Sequence, residues 1–132
     1  MDYGRRNIRF GWIWVLFGII SGMILGMFVF NGPIQLSNEM MTYTSLPRRM
    51  LRLAHISFFG LGFLNMFYSI TMKSLNIKVD RLTSRLLIFG SVTIALFLII
   101  SAFYEPFKYS LVIPALSLFV AAIILTKDLF SR

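Results

Sequence analysis

The residues best equipped for chemistry lie along one helical face in the middle of this chain. In residues 47–73, Arg48, Arg52, His55, Phe59, Gly62, Met66 and Ser69 follow one another at intervals of three or four, with Asn65 beside them. A helix places such residues on a single stripe. The surrounding stretch is apolar enough to cross a bilayer, and polar groups inside hydrocarbon need a reason. An unpartnered imidazole there is costly, so His55, the only histidine, is expected to bond a backbone carbonyl, a hydroxyl or Glu39.

The same groups suggest three kinds of ligand. For a haem b, His55 would ligate the iron, Gly62 would let the flat macrocycle lie against the backbone, and Arg48 and Arg52 would hold the propionates. With one histidine, a second axial ligand has to come from a methionine or another subunit. For a quinone, His55 and Asn65 would bond the ring carbonyls among Phe58, Phe59 and Tyr68. For a lipid phosphate or other anion, Arg48, Arg49 and Arg52 supply guanidinium groups that bind bidentately. Against all three stands a plainer use, in which the arginines snorkel to the headgroups and the histidine is a satisfied polar residue.

Other chemistry is thinly provided. The five acids, Asp2, Glu39, Asp80, Glu105 and Asp128, fall outside the expected spans, so no intramembrane carboxylate pair is available for proton relay or hydrolysis. The absence of cysteine removes disulfides and thiolate nucleophiles. Gly60 and Gly62 sit inside an expected helix with no strand before them, which argues against a phosphate loop. The net charge of +8 comes from basic residues at the ends of apolar runs. That pattern suits topology and headgroup contact and points away from nucleic acid.

The elements that must carry these residues are membrane helices. Of the 132 residues, 58% are hydrophobic and 14% charged, with a mean hydropathy of +0.79, which leaves too little polar surface to coat a water-soluble globule. The expected fold is an all-α integral membrane protein: one domain over residues 1–132, with spans at 10–30, 46–72, 86–104 and 109–126 in an antiparallel up-down bundle. The first span would be about 32 Å long, with Trp12 and Trp14 at the interface. It exceeds a signal-peptide core and lacks a small-residue cleavage site, so it is read as retained. Gly11, Gly18, Gly22 and Gly26 share a face in a doubled GxxxG pattern that lets another backbone approach, from this chain or another subunit.

Asn31, Gly32 and Pro33 are expected to stop the first helix, with Thr44 or Ser45 capping the second and Pro47 in its first turn. Asp80 is expected to pair with neighbouring cations. Residues 105–108 make a tight link, and Pro114 either kinks the last helix or marks its regular start. Small residues at Ser91, Ala95, Ala102, Ser117 and Ala121 favour close packing.

Four spans put Arg5, Arg6, Arg9, Lys73, Lys78, Arg81, Arg85, Lys127 and Arg132 on one side, nine against the four of Arg48, Arg49, Arg52 and Lys108. The positive-inside rule then places both termini in the cytoplasm, with the chain in a plasma (inner) membrane. The expected role is a non-enzymatic accessory or structural subunit of a larger membrane complex, in contact with lipids and other integral membrane subunits. The alternatives are a haem b- or quinone-binding electron-transfer subunit built on His55, and a small carrier or channel.

Overall fold

The computed structural model describes residues 3–29 and 37–131. The stop expected at Asn31, Gly32 and Pro33, and the side chain of Glu39, lie outside the described residues. Helices are α1 (Tyr3–Val29), the single turn α2 (Asn38–Met41), α3 (Leu46–Ser74), α4 (Arg81–Phe103) and α5 (Val112–Phe130), with a 3₁₀ segment over Glu105–Leu111. Four helical stretches, Gly4–Met27, Leu46–Ser74, Arg81–Phe103 and Glu105–Phe130, are long and apolar enough to cross a membrane.

Local chemistry sets the boundaries. α1 begins seven residues ahead of its apolar run, because Asn7 in the basic tail is fully buried against other helices. α3 starts with Pro47 in its first turn, where a missing N–H costs no helical bond. Ser45 occupies the position before it, yet its buried hydroxyl makes no capping bond. At the other end Asn76 takes a left-handed φ of 53°, a conformation asparagine tolerates, and Ile77 N–H closes back on the Met72 carbonyl at 2.8 Å. α4 opens at Arg81 because the Asp80 carboxylate accepts from the Thr83 backbone N–H (2.7 Å) and hydroxyl (2.9 Å). Asp80 is therefore a helix cap. Regular α-helix resumes at Val112 after the 3₁₀ segment, so Pro114 sits in the first turn of α5 and breaks no ladder.

α3 and α4 form the middle of the bundle, with α1 laid on α3 and α5 on α4. Tyr68, Met72, Leu87 and Ala121 make one buried cluster, and Trp14, Phe58 and Ala95 another. Ala95, Ala121 and Ser91 are fully enclosed, which brings the backbones of α3, α4 and α5 close. Ser117 Oγ adds a bond across the α4–α5 contact to the Leu86 carbonyl at 3.0 Å. The two tryptophans part company. Trp12 points outward, whereas Trp14 is buried, stacked on Phe10 at 4.7 Å and edge-on to Phe58 at 5.3 Å. Large apolar side chains such as Met23, Phe67, Phe103 and Phe119 cover the exterior. Such a surface is costly in water and costs nothing in hydrocarbon.

Candidate functional site

The polar stripe of α3 is the face that this helix turns toward α1, and the glycines of α1 are what it meets. A Cβ on Gly22 would stand 2.7 Å from His55 Cε1, one on Gly18 would stand 2.8 Å from Phe59 Cε2, and one on Gly11 would stand 2.6 Å from the Gly62 carbonyl oxygen and against Met66. Farther along, Ser69 Oγ donates to the Gly4 carbonyl at 2.6 Å. Two patterns that the sequence carries separately are thus the two sides of one seam. Gly26 takes no part in the seam among the described residues, none of which lies within 4 Å of its missing Cβ. Gly62 is packed against Gly11, Trp14 and Val15. It offers no surface on which a flat ligand could lie.

Asn65 is likewise committed. Its Nδ2 donates to Ser91 Oγ and to the Leu61 carbonyl, both at 2.9 Å, while its Oδ1 accepts from Asn7 Nδ2 at 2.8 Å. Ser84 Oγ donates to Asn7 Oδ1, and Ser91 Oγ donates to the Leu87 carbonyl at 2.6 Å. Asn7, Asn65, Ser84 and Ser91 are all sealed from the exterior. Their groups satisfy one another, so the cluster ties α1, α3 and α4 together and has little bonding capacity left for a ligand. Asn7 and Ser84 escape a reading based on apolar runs. A signal was present, because running the glycine spacing of α1 backwards from Gly11 lands on Asn7 and Gly4.

His55 faces different surroundings. Its Nδ1 lies 2.9 Å from Ser21 Oγ, and that hydroxyl donates to the Gly18 carbonyl at 2.9 Å. A serine has one proton to give, so we assign Nδ1–H as donor to Ser21, which leaves the lone pair on Nε2. A hydroxyl is one of the three partners that the sequence leaves open for this imidazole, beside a backbone carbonyl and Glu39. His55 lines a cavity of about 420 Å³ between α1, α3 and α4, within the size range of small-molecule sites. Ile24 and Leu25 of α1, Leu51 and Phe58 of α3, and Ile99 and Phe103 of α4 form apolar walls. Ser21, His55 and Arg48 supply the polar groups, and Met40 of α2 also reaches the cavity.

The three arginines separate at this point. Arg48 lines the cavity, Arg52 stacks over the Tyr43 ring with Cζ at 4.0 Å from its centroid, and Arg49 faces outward. Arg48 also approaches Tyr43, at 5.3 Å, so cation–π contacts hold both guanidinium groups near the start of α3. Of the residues expected to serve a haem or quinone, His55 and Arg48 share one cavity, while Arg52, Gly62 and Asn65 are engaged elsewhere. Among the described residues no three of His, Cys, Asp and Glu cluster as metal ligands. Comparison with known protein families, characterised proteins and solved structures finds no match to this chain.

Proposed function

We propose that the chain is a small polytopic membrane protein serving as a non-catalytic accessory subunit of a larger membrane assembly, and that it acts by helix packing and by lipid or partner contacts. The observation that carries this reading is the division of labour between inside and outside. The buried amides of Asn7 and Asn65 and the hydroxyls of Ser69, Ser84 and Ser91 are spent on joining α1, α3 and α4, whereas the outer faces of α1 and α5 present uninterrupted apolar surface, including Ile13, Ile20, Phe119 and Ile123. Carboxylates in the spans would be expected of a proton-coupled carrier, and the four acids at 39, 80, 105 and 128 stand at helix ends or in links. Integral membrane partners fit that exterior better than soluble ones.

In this reading the helices run up and down, consistent with pairings that climb α1 while descending α3: Gly4 with Ser69, Gly11 with Gly62, Ser21 with His55. The charge count of nine against four puts both termini on the cytoplasmic side of the plasma (inner) membrane. The natural absence of cysteine makes this easy to test. A membrane-impermeant maleimide should label Tyr109→Cys in intact cells and Lys78→Cys only after permeabilisation; the reverse pattern would overturn the topology. The assembly role is tested by purifying the full chain from its native membrane in mild detergent. Other integral membrane subunits should co-purify in fixed proportion, and a free monomer as the dominant species would defeat the proposal.

A further inference from the structure

We infer that the cavity between α1, α3 and α4 holds one acyl chain of an anionic phospholipid, whose phosphate is taken by Arg49 and Arg52. The cavity is a wedge. Ser84 Oγ on α4 donates to Asn7 Oδ1 on α1 and closes one end of the α1–α4 contact, whereas toward the start of α3 the two helices part, with Leu25 on one side and Ile99 on the other. Ile24 and Phe103 both line the cavity and are exposed, so it opens sideways onto the lipid around the bundle. Its volume of about 420 Å³ excludes a helix, since two turns of helix about 10 Å across fill roughly 850 Å³. A single extended chain fits. From Arg48 to Phe58 the α3 wall is ten residues, or about 15 Å, which is half of a hydrocarbon core of about 30 Å and so the depth of one leaflet.

The charge stands where the headgroup of such a lipid lies. α3 has 29 residues and is about 43 Å long, more than the core, so its first turns stand among headgroups. Arg52 lies between Arg48 and His55 on the helical face that borders the cavity, and Arg49 lies one turn before it, exposed. The cation–π contact of Arg52 with Tyr43, at 4.0 Å, spends none of its N–H donors on an acceptor. Neither Arg49 nor Arg52 has a carboxylate or other acceptor among the described residues. Two adjacent guanidinium groups in that condition suit a phosphodiester, which accepts bidentately. A zwitterionic lipid adds an ammonium that they repel, so a net negative headgroup is preferred. Arg48 lines the cavity but is engaged already, and the site does not draw on its donors.

The site deepens the lipid-contact part of the role proposed above and rests on it, but it needs no partner subunit, so loss of co-purification and loss of lipid binding are separate results. The probe is phosphatidylglycerol brominated at mid-chain, titrated into the full chain carrying Trp12→Phe in detergent micelles, because bromine quenches a nearby indole. Trp14 is then the sole tryptophan, buried from the exterior and edge-on at 5.3 Å to Phe58, which lines the cavity. We expect quenching that saturates near one lipid per chain, with an affinity at least fivefold above that of brominated phosphatidylcholine. Arg49→Gln and Arg52→Gln should each weaken it about fivefold, and Leu51→Phe, which fills the cavity, should reduce the quenching at saturation. Circular dichroism checks the helicity of each variant. Quenching that rises without saturating, that is equal for the two lipids, or that is unchanged in the double arginine variant overturns the site; the first result assigns the cavity to ordinary boundary lipid or to side chains of another subunit. Should Leu51→Phe fail to fold, the double arginine variant, which removes no hydrogen bond among the described residues, decides by itself.

Discussion

At the scale of single residues, buried polar side chains decide how this bundle holds together. Asn65 is the hub, since three bonds from one amide reach α1, α4 and its own helix. Replacing it with leucine strands the Nδ2 of Asn7 in an apolar interior and leaves Ser91 Oγ with its bond to the Leu87 carbonyl alone. We expect a loss of about 1–3 kcal/mol. Unfolding of Asn65→Leu, Asn7→Leu and the double variant in detergent should show strong coupling, because the second substitution removes a group already orphaned by the first. Additive losses would mean that the two amides act separately. Asp80 makes a smaller contribution outside the spans. Its carboxyl is held below the ordinary carboxylate value, chiefly by the Thr83 N–H it accepts, with partial burial acting in the opposite direction. A group depressed in the folded state stabilises fully above its unfolded value, about 4, and that stabilisation is lost as pH falls through the lower folded value. Asp80→Ala should therefore cost about 1 kcal/mol at pH 7. The gap from wild type should narrow on acidification below pH of about 4, as thermal melts at the two conditions would reveal.

At the scale of elements, the α1–α3 seam is a match between a helix stripped of side chains and one rich in them. Polar and aromatic groups on α3 lie in the channel left by Gly11, Gly18 and Gly22, which permits a close approach that dispersion and short hydrogen bonds can exploit without a hydrophobic driving force. The geometry ranks the glycines. Gly11→Ala drives a methyl toward the Gly62 carbonyl, a backbone atom that cannot swing aside, and should destabilise by about 1–3 kcal/mol. Gly22→Ala meets the movable His55 ring, so its first effect should be on the imidazole. Gly26→Ala meets none of the described residues and should be neutral or stabilising by up to about 1 kcal/mol, from the better helix propensity of alanine. Unfolding midpoints of the three alanine variants check this order; a Gly26 variant as damaged as the Gly11 variant would disprove the seam.

At the scale of the whole molecule, burial is concentrated in α3 and α4, while α1 and α5 each keep an apolar flank outward. Phe119 stands on that flank near the middle of α5. A lysine there costs about 2.5–3.5 kcal/mol if the site faces hydrocarbon, and disturbs few contacts of the bundle. Phe119→Lys is therefore expected to lower the membrane-integrated fraction in an insertion assay far more than it lowers the helicity of purified, detergent-held protein. Equal integration of variant and wild type would show that α5 does not face lipid with this flank.

Much of this architecture is legible along the chain. The four apolar runs, the glycine spacing of α1 and the polar stripe of α3 are local periodicities, and a periodicity determines which residues share a helical face. The small residues at 91, 95, 117 and 121 likewise announce where backbones come close. Pairing is a different matter, because a pattern within one helix carries no label for the helix it will meet. Only the tertiary structure decided that the glycines of α1 receive the stripe of α3, that Gly62 and Asn65 are consumed by that contact and by the cluster beside it, and that Asn7 leaves the basic tail for the interior. It also separated Arg48, on the cavity with His55, from Arg49 and Arg52. Those three arginines look alike in sequence, and what distinguishes them is the direction in which a helix seated against two neighbours points each one.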